Sequence, residues 1–538
     1  MTTPPLPSSS SSPTNPRASS SVDSQRSGPL HIDGQAQAVP LVIDQTSPSS
    51  NTQDRGYGSL TFTNGLALVL GLQIGSGIFS APSQVSNHVP SPGMAVVVWL
   101  LAGMLVWTGA ASFIELGLAI PRNGGVQEYL RVCYGEFLGF LFSWIWIAIS
   151  KACANATIGI VFAENLAIAF ASNGILPTWQ LKMIAILAIF AITSINCLGS
   201  IAGARAANTF LLLKILAIFS IAAIGIGVSI LRISHGSQQS GHEWFAEDPD
   251  PLRRNMGTWT KLGEYITAAF GALFCYGGWE TIGFVAADMT DPAHDLPRVI
   301  NTAMGVALSG FILMNISLFT VLPFEQMREK SFVAVNFGLQ LFGLPGGLIY
   351  SLIVSLVCLG ALNANVFAIG RLCVTASKSH YFPKIIGNGH CFGREGDSLY
   401  TRKALQRYPP FLTSGIIWFA EKTEDLRWDK QVPVYAMMMN ASIASFYVVL
   451  GSFDSLVTFF GISEYFFFFL SVTGLFMLRR RRGKTPERSY RTPTFNPVIF
   501  CVFSSFIVIR GVITDPIQGL AILILTLIGW VVFRRRFP

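Results

Sequence analysis

Charged residues are scarce in this chain. Only 12% of its 538 residues are Asp, Glu, Lys or Arg, whereas 51% are apolar and the mean hydropathy is +0.50. A soluble protein keeps about a quarter of its residues charged in order to face water. This composition therefore predicts a membrane protein. The net charge of +8 is more typical of basic loops on the cytoplasmic side of a membrane than of a nucleic-acid-binding surface.

Several kinds of site are missing from the sequence. The histidines are scattered without metal-ligand spacing, and no cofactor motif is recognisable, so neither a metal nor a cofactor is predicted. There is no Walker motif and no nucleophile–base arrangement, so we expect neither an enzyme nor a direct use of ATP. The eight cysteines lie mostly within apolar runs, which favours structural thiols over a disulfide framework.

The first 56 residues are rich in Ser, Pro, Thr and Gln and lack the apolar core of a signal peptide. They predict a disordered cytoplasmic tail. Apolar segments follow, and we predict twelve transmembrane spans, near residues 61–86, 94–119, 137–170, 179–199, 208–231, 262–287, 299–323, 340–368, 433–451, 454–478, 494–513 and 515–533.

The basic residues predict the orientation of these spans. Arginine and lysine concentrate in alternate loops, which places both termini in the cytoplasm by the positive-inside rule. We expect a ten-helix transport core over 57–482, followed by two further helices over 483–538. Within the core, residues 391–430 form a basic cytoplasmic insertion, whose short apolar piece cannot cross a bilayer.

Glycine clusters interrupt the first and sixth spans, over residues 71–79 and 274–280. Interrupted helices are tolerated in lipid only where the freed backbone groups line a cavity or contact a ligand. The two spans occupy equivalent positions in successive five-helix sets, as in an inverted-repeat transporter. Free N–H groups attract a carboxylate and free C=O groups attract an ammonium, which suits a zwitterion such as an α-amino acid. Close helix packing through small residues is the alternative explanation.

Five motifs occur in an order that resembles a known family. They are GSGIF (75–79), IELG with PRNGG (114–125), FCYGGWE (274–280), DMTDPAHDLPR (288–298) and GRLCVTASKSHYFP (370–383). The sequence is similar to the amino acid-polyamine-organocation superfamily, and within it to the L-type amino acid transporter branch, particularly its fungal methionine permease-like members.

The resemblance implies an all-α fold with a five-plus-five inverted repeat, discontinuous first and sixth helices and alternating access. It also implies a substrate site. The amides around Gly75, Ser76 and Gly77 would bind the substrate carboxylate, carbonyls at Gln73, Phe274, Cys275 and Gly277 would accept the ammonium, and the side chain would lie near Phe274, Trp279 and Glu280. Gln73 and Glu280 depart from the residues expected in animal relatives.

Ionisable residues within spans are candidates for function because they are costly in lipid. The resemblance implies that the Lys214 ammonium replaces the sodium ion of sodium-driven relatives; snorkelling to the interface is the alternative. For Glu280, substrate selection, proton binding and helix capping all remain open. Glu115 is a candidate gate residue or structural ion-pair partner of an arginine. Lys151 and Glu164 lie thirteen residues apart, too far along a helix to pair, and Lys151 has no predicted role.

The sequence thus predicts a sodium-independent plasma-membrane carrier of neutral L-amino acids, with a large or sulfur-containing side chain such as that of methionine favoured. An amino acid sensor with little flux and a carrier of cationic amino acids or polyamines are the alternatives. Protons are a possible coupling ion. Animal members of the branch join a heavy chain through a cysteine between spans three and four. Residues 171–180 contain no cysteine, and we expect no disulfide-linked heavy chain.

Overall fold

The structure is a computed structural model. It describes residues 61–170, 176–197, 200–234, 244–245, 254–329, 332–382, 433–482 and 490–536. The predicted tail over 1–56 and the predicted loop insertion over 391–430 lie outside these residues. Within the described part of the chain, every regular element is a helix, which confirms the all-α prediction.

The described residues of the first half of the chain form eight α-helices and a short π-helix. They are α1 (Phe62–Gln73), α2 (Gly77–Asn87), α3 (Pro92–Ala119), α4 (Val126–Tyr134), α5 (Glu136–Ile145), a π-helix (Trp146–Ser150), α6 (Lys151–Phe170), α7 (Thr178–Cys197) and α8 (Ser200–Ser234). Helices α1 and α2 together correspond to the first predicted span, and α5, the π-helix and α6 to the third.

The described residues of the second half form eight α-helices and a 3₁₀-helix. Its elements are α9 (Thr258–Tyr276), a 3₁₀-helix (Trp279–Asp288), α10 (Pro292–Val321), α11 (Phe324–Glu329), α12 (Val333–Lys378), α13 (Val434–Leu450), α14 (Phe453–Arg482), α15 (Phe495–Thr514) and α16 (Pro516–Arg536). Each of the twelve predicted spans falls on one helix or on consecutive helical segments.

Both predicted interruptions are present. Helix α1 ends at Gln73 and α2 begins at Gly77, with a bend of 41° between them. Helix α9 ends at Tyr276, and the 3₁₀-helix begins at Trp279. The segments pack crosswise, α1 against the 3₁₀-helix and α2 against α9. This is the pairing expected of an inverted repeat, in which a two-fold axis in the membrane plane would exchange α1 with α9 and α2 with the 3₁₀-helix.

Helix length and hydropathy identify the membrane-spanning part. Among the described residues, nine helices are long and apolar enough to cross a membrane, or ten if the bent pair α1–α2 counts as one span. The other two predicted spans fall on the interrupted α9 segment and on the seventeen-residue helix α13. Helix α16 exposes large apolar side chains along its length, including Ile517, Leu520 and Leu527. Such a surface is stable where lipid covers it.

Candidate functional site

The two helix interruptions meet in the protein interior. Gly278 has a φ of +101°, and a Cβ atom added to it would lie 2.6 Å from the Cβ of Leu72 and 3.3 Å from the backbone nitrogen of Gln73. Only glycine combines this left-handed conformation with so close an approach of two backbones. The glycine-rich sequence of the second interruption therefore brings it directly against the first.

A cavity, the central cavity, lies where the interruptions meet. Seven of the nine predicted substrate-binding residues line it: Gln73, Gly75, Ser76, Gly77, Phe274, Cys275 and Gly277. The remaining lining residues are Leu72, Lys151, Ala154, Ile158, Gly278, Ala361, Asn365, Phe460 and Glu464.

Two helix ends of opposite polarity face the central cavity. Helix α2 begins at Gly77, so its first N–H groups lack partners within the helix and carry the positive end of its dipole. Helix α9 ends at Tyr276 with its carbonyl groups, the negative end. The side chain of Gln73 spans the gap, because its Nε2 donates to the carbonyl oxygen of Tyr276 at 3.4 Å and to Met304 Sδ at 3.1 Å.

The two other predicted substrate-binding residues lie behind the cavity lining. Trp279 packs its ring against Phe113 and Phe468, with centroid distances of 4.7 and 5.2 Å. Glu280 accepts hydrogen bonds from the backbone N–H of Gly278 at 2.8 Å and from the Thr281 hydroxyl at 3.2 Å. The contact with Gly278 is of the helix-capping kind. The structure therefore brings Glu280 to the interruption but not to the cavity surface.

Lys151 forms a buried ion pair with Glu280. Its Nζ donates to Glu280 Oε1 at 3.3 Å, and the two side chains are 5% and 0% exposed. Lys151 follows the π-helix directly, and its ammonium also lies 5.6 Å from the ring centroid of Trp146, within the range of a cation–π interaction. No role could be predicted for Lys151 because its partner is 129 residues away in the chain.

Glu464 is a further acidic residue at the site that sequence reasoning missed. It lies on α14, lines the central cavity, is 1% exposed, and its Oε1 has no hydrogen-bond partner. Its Oε2 lies 3.9 Å from the position that a Cβ on Gly277 would occupy, so the carboxylate is beside the carbonyl end of α9. A lone acidic residue in a predicted span should have marked it as a candidate.

Lys214 lies on α8 and reaches the first interruption. Its side chain is 1% exposed, and its Nζ donates to the carbonyl oxygen of Gly71 at 2.5 Å. Gly71 is in the last turn of α1, where unpaired carbonyl groups attract a cation. The ammonium group is thus buried against the end of α1 and does not snorkel to an interface.

Glu115 lies outside the central cavity. Its carboxylate accepts hydrogen bonds from Arg479 at 2.6 and 2.9 Å and from the backbone N–H of Thr492 at 2.8 Å. This bidentate pair joins α3 to the end of α14 and to the segment that leads into α15. The arrangement is that of the structural ion pair considered for Glu115, with an arginine from the 479–482 run as its partner.

Paired helix interruptions around a cavity, in a bundle of membrane-spanning helices, are typical of transporters with discontinuous helices. The chain belongs to the amino acid permease family, which residues 60–533 match. It is therefore an amino acid transporter of the amino acid-polyamine-organocation superfamily, and its relatives confirm the resemblance to the L-type branch. The comparisons do not show the fungal methionine permease resemblance.

Three relatives represent that branch. The mouse b(0,+)-type amino acid transporter 1 is 27% identical over 470 residues, which cover 87% of this chain and 86% of the relative. The human cystine/glutamate transporter is 25% identical, with 87% and 83% covered. The mouse large neutral amino acids transporter small subunit 2 is 24% identical, with 89% and 82% covered. All three are named as transporters, a class of protein that is not enzymatic.

Proposed function

We propose that this protein carries neutral L-amino acids across the plasma membrane by alternating access, with large or sulfur-containing side chains such as that of methionine favoured. The observation that supports this proposal is the pair of helix ends at the central cavity. The start of α2 offers N–H groups to a carboxylate, and the end of α9 offers carbonyl groups to an ammonium. A carboxylate and an ammonium group are common to every α-amino acid.

The rest of the cavity favours an apolar side chain. Ile158, Phe274 and Phe460 line it together with the small residues Ala154 and Ala361. Transfer of an apolar substrate side chain from water to such a lining is favourable. One relative is named for large neutral amino acids, which agrees with this choice of substrate. Another is named for cystine and glutamate, so the family alone does not decide the specificity.

In this proposal, Lys214 provides the fixed positive charge that a bound cation would otherwise supply at the end of α1. Its contact with the Gly71 carbonyl group supports that role.

The proposed transport core comprises residues 57–482, and residues 483–538 add two peripheral helices. Both termini are cytoplasmic, as the basic loops predict.

The carrier acts without a disulfide-linked heavy chain in this proposal. One relative is named a small subunit, which indicates an assembly of more than one chain for that protein. For this chain the absence of cysteine from residues 171–180 supports a different arrangement. Residues 171–175 of that loop lie outside the described part of the structure. A partner held by other contacts is compatible with this proposal.

Uptake into proteoliposomes tests the proposed function. Purified protein is reconstituted, and labelled neutral, cationic and acidic amino acids are each supplied with and without unlabelled substrate inside and with and without an inward proton gradient. We expect saturable uptake of methionine and other large neutral amino acids. Binding without flux would instead identify a sensor. Selective flux of lysine or arginine would identify a cationic carrier.

A further inference from the structure

Three buried ionisable side chains lie at or directly behind the central cavity. Lys151 and Glu280 form an ion pair, in which one positive and one negative charge compensate each other. Glu464 is the third, and it interacts electrostatically with both. Its Oε1 has no hydrogen-bond partner. A buried carboxylate oxygen without a hydrogen-bond partner is costly, and a ligand that donates to it removes that cost.

The position of Glu464 identifies the part of a substrate that it would contact. Its carboxylate lies beside Gly277, directly after the last turn of α9. The carbonyl groups of that turn are the predicted ligands of the substrate ammonium. The start of α2, which suits the substrate carboxylate, is on the other interrupted helix. The Glu464 carboxyl group therefore lies at the ammonium end of a bound zwitterion.

We propose that Glu464 is a further substrate-binding residue, whose carboxylate accepts a hydrogen bond from the α-ammonium group of the transported amino acid. This inference rests on the proposed function, because it assumes that an α-amino acid occupies the central cavity. The ammonium of a bound substrate compensates Glu464, and the substrate carboxylate is stabilised by the N–H groups of α2.

A cationic side chain is a less suitable partner for Glu464. Lys151 lines the same cavity, and its ammonium would repel a second extended cation there. The α-ammonium, by contrast, is held on a short stem and also contacts the carbonyl end of α9. Gly277 has no side chain, and a Cβ there would come within 3.9 Å of Glu464 Oε2 and 3.4 Å of the Phe274 carbonyl oxygen. The glycine leaves this position open to a ligand.

The test combines variants of the protein with variants of the ligand. Inhibition constants against labelled methionine uptake, or against binding if no flux occurs, are measured for methionine and for its analogue that lacks the amino group. Both are measured for the wild type, for Glu464→Gln and for Glu264→Gln. Glu264 is the matched control, because it pairs with His88 on a partly exposed part of α9. If methionine is a poor substrate, the best substrate of the uptake panel and its des-amino analogue replace the pair.

We expect Glu464→Gln to affect the binding of the two ligands differently. Glu464→Gln should weaken the binding of methionine by about 10- to 100-fold, because a charge-assisted hydrogen bond is lost. The same variant should bind the des-amino analogue as well as the wild type does or better, since no buried carboxylate is left unpaired. Glu264→Gln should leave both constants unchanged.

Other outcomes overturn the inference. It is wrong if Glu464→Gln weakens the binding of both ligands equally, or if the inhibition constant of methionine is unchanged. The second case includes a variant that only loses lysine uptake and a variant in which uptake only becomes independent of a proton gradient. If the wild type neither binds nor transports any amino acid, the proposed function itself has failed.

A measurement on the wild type covers the case in which Glu464→Gln does not fold. A hydrophobic carbodiimide labels accessible buried carboxyl groups, and mass spectrometry of the peptides locates the label. We expect methionine to protect Glu464 from labelling and the des-amino analogue to protect it much less. Equal protection by the two ligands, or labelling of Glu464 that neither affects, would contradict the inference.

Discussion

Lys151 and Glu280 lie on helices that are far apart in the sequence, and their side chains meet at 3.3 Å behind the central cavity. Because both are buried, removing Lys151 leaves Glu280 beside Glu464 without a compensating cation. We expect Lys151→Met alone to destabilise the protein by about 3–5 kcal/mol, and Glu280→Gln to destabilise it less, since Lys151 then still faces Glu464. The double variant should recover much of this loss. Thermal unfolding in detergent measures the effect, and additive destabilisation in the double variant would contradict the pairing.

Lys214 offers a test of the charge at the first interruption. Lys214→Met removes the ammonium group that donates a hydrogen bond to the Gly71 carbonyl oxygen. The end of α1 then loses its compensating charge. We expect amino acid uptake to be lost while the protein still purifies as a folded monodisperse sample. Lys182→Met is the control, since Lys182 also donates to a backbone carbonyl, that of Val449, but at an exposed position. Normal uptake by Lys214→Met would exclude a role in transport.

Two glycines of the first interruption give a matched pair. A Cβ on Gly77 would lie 2.9 Å from Cys275 Sγ and from ring atoms of Phe274, whereas a Cβ on Gly71 has no atom within 4 Å. Gly77→Ala should displace the two interrupted helices and lower the uptake rate by about 100-fold, since misplacement by 1 Å can cost that much. Gly71→Ala should retain uptake. Equal activities of the two variants would show that the close contact is not required.

The predicted absence of a disulfide-linked heavy chain is tested in native membranes. Of the described cysteines, Cys197 and Cys501 are partly exposed and the others are buried. We expect the protein to migrate at its monomer mass of 58.5 kDa in electrophoresis with and without a reducing agent. A larger species that disappears on reduction would contradict this prediction. Cys197→Ser and Cys501→Ser would then identify the thiol involved.

Much of the fold could be predicted because the properties of each individual segment of the sequence indicate its structure. Hydropathy identifies each span by itself, and a glycine cluster within an apolar span indicates an interruption at that point. The family resemblance added the order of the helices. Seven predicted substrate-binding residues therefore line one cavity.

The ion pair and the unpaired carboxylate could not be predicted in the same way. Lys151, Glu280 and Glu464 come from three helices, and nothing local to any of them indicates which residues they approach. Trp279 illustrates the same point. It is next to the second interruption in sequence, yet its ring packs against Phe113 and Phe468, because the 3₁₀-helix turns it away from the cavity. Contacts between distant helices depend on packing, which the sequence of one segment does not determine.

The central claim is that the helix ends at the central cavity recognise the two charged groups of an α-amino acid. Competition against labelled methionine uptake by the wild type tests it most directly, with methionine, its amino alcohol, which lacks the carboxylate, and its des-amino analogue. We predict that each analogue competes at least about tenfold more weakly than methionine, because each loses one charge-assisted interaction. If either analogue competes as well as methionine, that end of the proposed site does not bind the substrate, and the account is wrong.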